Sequence, residues 1–504
     1  MSENRKPPHR AQASDLPGLK LDPKDTRPLY WQIYGEIKRL ILEGTVPSGN
    51  PMPSPRALST QLACSRHTVA TAYNYLVAEG LLDSAHGVGT FVSQLSGAIA
   101  GDLLLQQEVE DLPIPPPSQF YHRLTAGMLP RDEEDPLQVF GMPDSEAFPY
   151  DQWSKLHSRI WSRPKHSLVR AVSPLGYLGL REAICEMMHR TRGVRATTDQ
   201  VLITSGTTQS LDLLLRVLLD PGDEVWIEDP GRPKVAALVH AQGMRPVHLP
   251  VDSAGALISE GEWQAPRARA AVVTASHHYP TGVTMSLERR IELLSWASNN
   301  ESWIFEDDYD GEMIATGKPL LPIYSLGKTN RTIYMGTFSK SISPQLRIGY
   351  IIAHPQVILA LSRARYFLDY FPSMMAQPVL AAFINEGYLD SYVRRMRRLY
   401  KDRQLAFASV IEKEGPDIFN SLHNAPGLFL PLVLTRSAPA GTDAVMAREA
   451  RRIGIPAYDL SSFYFRHQPR LGILVGTGRM SLKAIPNMAR QLIAATRQTL
   501  NSLS

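Results

Sequence analysis

Cysteine is nearly absent from this chain. Two residues, Cys64 and Cys185, occur in 504 positions. They lie far apart and outside any metal-ligand spacing, which argues against a disulfide scaffold and against a zinc site, so no metal is expected. Both read as small buried residues. No apolar run approaches the roughly 18 residues that cross a bilayer, and the polar, basic start from Met1 to Arg10 has no apolar core behind it. No membrane partner is expected, and the chain is placed in the cytoplasm. Charge of one sign is scarce too: a net +4 over this length is no argument for nucleic acid by itself.

What is present belongs to an ordinary globular protein, with 43 % hydrophobic and 20 % charged residues. The length suggests about two to four domains. In the first, over 24–93, Pro28 precedes an apolar stripe of Leu29, Ile33, Ile37, Leu40 and Ile41 that stops near Gly44, the pattern of an amphipathic helix. Ser54 can cap a second helix with Pro55 in its first turn, and Ser65 a third, which buries Val69, Ala72, Tyr73 and Leu76. Two short helices with a tight turn read as a helix-turn-helix. Leu81–Ser84 and Thr90–Val92 around His86-Gly87-Val88-Gly89 read as a β-hairpin wing.

A recognition helix enters the major groove N-terminus first, so Ser65, Arg66, His67 and Thr68 are expected at the DNA. Arg56 is expected on the backbone, and Tyr73, Gly87 and Gly89 complete the DNA-binding set. From Lys24 to Asp83 there are six Lys and Arg against five Asp and Glu, so local clustering has to supply the attraction. Pro28-Leu29-Tyr30, Pro53-Ser54-Pro55-Arg56, Ser65-Arg66-His67-Thr68-Val69, Glu79-Gly80-Leu81 and Gly87-Val88-Gly89-Thr90-Phe91-Val92, in that order, resemble the GntR family of bacterial regulators.

Residues 94–140 lose periodicity and carry Pro113-Ile114-Pro115-Pro116-Pro117 and Asp132-Glu133-Glu134-Asp135, a linker composition. Some 30 disordered residues would reach on the order of 30 Å. In 141–504, strand-like runs at Val201–Thr204, Val225–Ile227, Ala271–Thr274, Trp303–Glu306, Thr332–Met335 and Ile348–Ile352 alternate with helical segments. This predicts an α/β domain around a mostly parallel sheet, with ligands at the C-terminal strand ends.

The residues at those ends fit pyridoxal 5'-phosphate. Its aldehyde asks for an amine, its ring nitrogen for a carboxylate, its phenolic oxygen for a donor, and its phosphate for hydroxyls, backbone amides and a guanidinium. Lys340 supplies the amine, Asp307 the carboxylate and Tyr309 the phenol. Ser205, Gly206, Thr207 and Thr208, with Thr337, Ser339 and Arg347, supply the phosphate cradle. This spacing, with Pro221-Gly222-Asp223, Glu228-Asp229-Pro230 and Tyr279-Pro280-Thr281-Gly282, resembles the fold type I, class I aminotransferases from Gly141 onward.

The two modules together resemble the MocR subfamily of GntR regulators. That resemblance implies a bacterial, nucleoid-associated homodimer, head-to-tail, with each reader crossing to the other subunit. It also implies double-stranded operator DNA as partner and an internal aldimine on Lys340 that senses an amine, an amino acid or the cofactor itself. Two positions depart from the aminotransferase pattern. Tyr279 replaces the asparagine that usually precedes Pro-Thr-Gly, and Arg232 stands where an aromatic usually lies near the cofactor ring. Arg232 and Arg470, the latter opening Leu471-Gly472-Ile473-Leu474-Val475, are the candidates for an effector's acidic group. The alternative reading is a working aminotransferase with an accessory DNA-binding domain.

Overall fold

The computed structural model describes residues 16, 18–85, 89–94, 116–126, 141–164, 168, 173–313, 321–327, 330–422 and 427–502. The chain divides into two compact units between Pro116 and Pro117.

In the first unit, α1 (Leu29–Leu42) buries Ile33, Tyr34, Ile37, Leu40 and Ile41. α2 (Pro55–Gln61) starts where Ser54 Oγ accepts the Ala57 N–H at 3.1 Å. Ala63 turns the chain with φ +48°, and α3 (Arg66–Ala78) starts at Ser65, whose Oγ accepts the Thr68 N–H at 3.1 Å. Each cap satisfies a backbone donor that the first helical turn leaves open. Strands β1 (Leu82–Ala85) and β2 (Gly89–Val92) pair antiparallel with Leu82 opposite Val92 and Ala85 opposite Gly89. This is a winged helix-turn-helix with one core from α1, α2, α3 and the wing.

Tyr73, expected at the DNA, is a core residue. It is buried, and its hydroxyl donates to the Pro53 carbonyl at 2.8 Å, fixing the approach to α2. Gly87 lies outside the described residues. Part of the expected linker is folded: Gln119–Thr125 is a helix of the second unit, capped by Ser118, and Arg123 Nη2 donates to the Ala241 carbonyl at 3.1 Å. The sequence signal was masked by the prolines just before it.

The second unit holds an eight-stranded sheet in the order β3-β10-β9-β8-β7-β4-β5-β6. Its strands are β3 (Val201–Thr204), β4 (Glu224–Asp229), β5 (Arg245–Asp252), β6 (Gly255–Ala256), β7 (Ala270–Val273), β8 (Trp303–Asp308), β9 (Thr332–Thr337) and β10 (Gly349–Ile352). β10 runs antiparallel to both its neighbours, β3 and β9, and β6 runs antiparallel to β5; β4, β5, β7, β8 and β9 are parallel. Strands β3, β4, β7 and β8 are buried almost throughout, as the two-sided cover of helices requires. A second sheet, β11 (Phe419–Ser421), β12 (Phe429–Leu434), β14 (Gly472–Gly476) and β13 (Ala457–Asp459), is antiparallel and packs in its own core with the helices Tyr388–Glu414, Thr442–Arg452 and Ile485–Ser502. Cys64 and Cys185 are free and half-buried, rather than fully buried.

Candidate cofactor and DNA sites

The C-terminal ends of β3, β4, β8 and β9 and the start of antiparallel β10 share one edge of the sheet, which is why residues more than a hundred positions apart form one site. β9 ends at Thr337, whose Oγ1 accepts the Ser339 N–H at 3.2 Å and donates to Ser339 Oγ at 3.1 Å. That turn delivers Lys340, whose Nζ donates to the Gly141 carbonyl at 2.7 Å. Burial and then the charge of Arg232 bring the Lys340 amine down to about 8. A lysine near that value is neutral often enough to attack an aldehyde.

β8 carries Asp307 into the same space. Its Oδ2 accepts from Arg232 Nη1 at 2.5 Å, while Oδ1 is buried without a partner among the described residues. Burial raises its carboxyl above the usual range, against the pull of Arg232. Tyr309 is buried, lies 3.4 Å through its hydroxyl from His277 Nδ1, and titrates well above the ordinary phenol because of that burial. Burial pulls His277 toward neutrality, yet the Asp310 carboxylate, 2.7 Å from Nδ1, holds it above its ordinary value. Tyr279 sits edge-on to Tyr309, Phe429 and Phe463, an aromatic wall where the aminotransferase pattern has an amide.

At the end of β3, Gly206 adopts φ +125°, a conformation L side chains rarely take, and opens the helix Thr207–Leu218. A Cβ at Gly206 would lie 3.7 Å from Arg347 Nη2, so the missing side chain leaves room between a helix N-terminus and a guanidinium. Arg347, with φ +48°, has no ion-pair partner among the described residues. The Ser205 N–H is already held by Gln209 Oε1 at 2.7 Å; Thr207 is buried and Thr208 exposed.

Tested against pyridoxal phosphate, these residues fit. Among the described residues, a buried carboxylate oxygen without a partner suits a ring nitrogen, a helix N-terminus beside a guanidinium without an ion-pair partner suits a phosphate, and a lysine brought down to about 8 suits an aldehyde. Sequence reasoning did not include Gly141, His277 or Asp310. The pair His277-His278 ahead of Tyr279 and the acidic run after β8 were the only signals.

The two effector candidates are placed differently. Arg232 is engaged with Asp307 and stands with its guanidinium carbon 5.3 Å from the Tyr309 ring centre. Arg470 is exposed just ahead of β14. In the first unit Arg56, Ser65, Arg66 and His67 are exposed, and Gly89 opens β2 with φ +138°. Ser65 Oγ and Thr68 Oγ1 are 2.8 Å apart and bond to each other.

Residues 29–92 match the bacterial regulatory proteins of the gntR family, and residues 152–462 match aminotransferase class I and II. The probable rhizopine catabolism regulatory protein MocR of Rhizobium meliloti is 34 % identical over 461 residues, covering 91 % of this chain and 92 % of that one. The chain belongs to the MocR subfamily of GntR regulators. The pyridoxine biosynthesis transcriptional regulator PdxR of Corynebacterium glutamicum is 31 % identical, with 92 % and 95 % covered. Among solved structures, a multiple substrate aminotransferase from Thermococcus profundus superimposes with a TM-score of 0.67 at 23 % identity over 76 % of this chain and 98 % of that one, which identifies the fold of the second unit. This MocR-type protein is therefore a DNA-binding transcription regulator built on an aminotransferase fold, with pyridoxal phosphate as its cofactor. The reading as an aminotransferase with an accessory reader is not favoured by relatives that carry both modules and are named as regulators.

Proposed function

We propose that this regulator senses an amine, an amino acid or pyridoxal phosphate itself at Lys340 and converts that event into a change in DNA binding. The observation that carries the reading is the company Lys340 keeps: a buried amine at about 8, a carboxylate with one oxygen unpaired, and a glycine-lined cradle beside Arg347. Bound there, pyridoxal phosphate supplies an aldehyde that one amine can take from another. Asp307 would hold the ring nitrogen, Tyr309 would face the phenolic oxygen, and Gly206, Thr207, Ser339 and Arg347 would hold the phosphate. Arg470 is the residue offered to an acidic effector, because its charge is exposed.

On the DNA, Arg66 and His67 at the N-terminus of α3 read base edges, and Arg56 grips a phosphate. Ser65 and Thr68 mainly shape the helix start. The working form is a homodimer. Tyr366, Phe367 and Leu368 in the last turn of the helix Pro355–Leu368, and Tyr370 just beyond it, are all at least half exposed, with Phe367 at 86 %, and a second copy covering that run accounts for a patch that a monomer rarely leaves open. A head-to-tail dimer presents two readers to a two-fold operator in the bacterial cytoplasm and nucleoid. Among the described residues no helix is long and apolar enough to cross a membrane.

A ligand shifts such an equilibrium only by its unequal affinity for the two states. The test is a footprinting titration of cofactor-loaded protein against a panel of amines and amino acids, with Lys340→Ala beside it. One or more ligands should change the protection pattern of the native protein and leave that of Lys340→Ala unchanged. Identical responses from both proteins would reject the proposal.

A further inference from the structure

Arg232 occupies the N-cap of the helix Pro233–Ala241, directly after β4. Its side chain is 23 % exposed and that of Asp307 is 5 % exposed. Asp307 has no other hydrogen-bond donor among the described residues: Arg232 Nη1 takes Oδ2 at 2.5 Å and Oδ1 is left without a partner. One carboxylate therefore faces two claims, an arginine already in place and the ring nitrogen that its free oxygen suits. Around it stand Glu228 on β4, Tyr279, Asp308, Tyr309 and Asp310 at the end of β8, Lys340 after β9, and Lys234 two residues beyond Arg232. The bond drawn to the carboxylate is that from Arg232.

We propose that Arg232 is a positioning residue that draws the charge of Asp307 away from the cofactor's ring nitrogen, lowers that nitrogen's affinity for a proton, and so weakens the ring as an electron sink. This rests on the cofactor being bound at Lys340 as described above. The chemistry divides accordingly. Exchange of one amine for another at the aldehyde carbon needs no electron sink, whereas loss of the Cα proton from a bound amino acid leaves an electron pair that only a protonated ring takes up well. An arginine at this position lets the site bind and release amines while holding back transamination, the behaviour a sensor needs. The field of Arg232 also reaches the lysine, where it adds to burial in favouring the neutral amine.

The experiment loads native protein, Arg232→Gln and Arg232→Lys with ring-¹⁵N pyridoxal phosphate and follows the nitrogen's chemical shift against pH. In Arg232→Gln the nitrogen should keep its proton to a pH higher by about one unit or more, the usual effect of removing a charge at this range. Arg232→Lys should stay close to native. On adding an amino acid, Arg232→Gln should convert at least about tenfold faster, in line with one unit of proton affinity. In that conversion Cα is oxidised to the oxo acid, the aldehyde carbon is reduced to an aminomethyl group, and the amino nitrogen stays on the cofactor. Coincident nitrogen titrations in all three proteins would overturn the proposal. So would loss of cofactor from Arg232→Gln with retention in Arg232→Lys, which would make Arg232 a structural clamp. Failure of native protein to take up the label would defeat the cofactor reading as well.

Discussion

Lys340 donates its ammonium to the carbonyl of Gly141, 199 residues earlier in the chain, at 2.7 Å. The backbone at Gly141, well ahead of β3, thus holds the amine that the rest of the site is arranged around. Gly141 is suited to this by φ +58° and by the absence of a side chain, since a Cβ there would lie 3.4 Å from Nζ.

Burial has lowered the Lys340 amine to about 8, and only the neutral form condenses with an aldehyde. The rate of cofactor uptake should therefore rise about tenfold per pH unit below about 8 and level off above it, whereas an ordinary lysine would keep rising to about 10.4. Stopped-flow absorbance after mixing with pyridoxal phosphate reads this directly. A rate still climbing steeply at pH 10 would place the amine in open solvent.

Gly206→Ala puts a side chain at φ +125°, where the strain is on the order of 1–3 kcal/mol, and narrows the space beside Arg347. Affinity for pyridoxal phosphate should fall about tenfold or more, since about 1.4 kcal/mol corresponds to that factor. Absorbance titration of the cofactor checks it, and an unchanged dissociation constant would remove the phosphate cradle from this position.

Asp229 at the end of β4 ties the two sheets of the second unit together. Its carboxylate accepts the N–H groups of Phe465, Arg466 and His467 at 3.0, 2.9 and 3.1 Å, and His467 Nδ1 at 2.8 Å. Burial alone would raise its pKa, yet these bonds hold it below the usual carboxylate value. The stabilisation is present above the unfolded pKa and is lost as pH falls through the lower folded one. Asp229→Asn should cost about 2–3 kcal/mol, as charge-assisted bonds do, and hydrogen exchange should quicken at 463–467 first. Uniform exchange across the unit would contradict a local tie.

In the reader, Tyr73→Phe and Arg66→Ala should separate folding from recognition. Tyr73→Phe removes the bond to the Pro53 carbonyl and should lower stability by about 1 kcal/mol with DNA affinity preserved once folded. Arg66→Ala, on an exposed side chain, should weaken DNA binding and leave thermal unfolding in place. Equal loss of DNA binding in both would return Tyr73 to the interface.

The legible parts of this molecule were the local ones. Ser54 and Ser65 announce their helices because a cap acts within three residues, and β3, β8 and β9 stand out because buried strands are continuous apolar runs. Lys340, Asp307 and Arg347 were readable from motif spacing. The antiparallel direction of β10 was not, because strand orientation is decided by the crossover and not by the strand. Most of the antiparallel sheet β11–β14 was missed, since Phe419–Ser421 and Ala457–Asp459 are three residues each. Pairings such as Arg232 with Asp307, 75 residues apart, and Lys340 with Gly141 exist only once the fold brings them together. Tyr73 was assigned to the DNA by its place in the recognition helix, although its apolar-face position was the better guide.

The most direct measurement compares DNA binding by cofactor-loaded protein before and after borohydride reduction, which fixes the cofactor covalently on its lysine and prevents exchange. Peptide mapping should find the adduct on Lys340 alone, and the amine that alters DNA affinity in the unreduced protein should have no effect on the reduced one. An adduct on other lysines, or an undiminished response after reduction, would contradict sensing through residue 340.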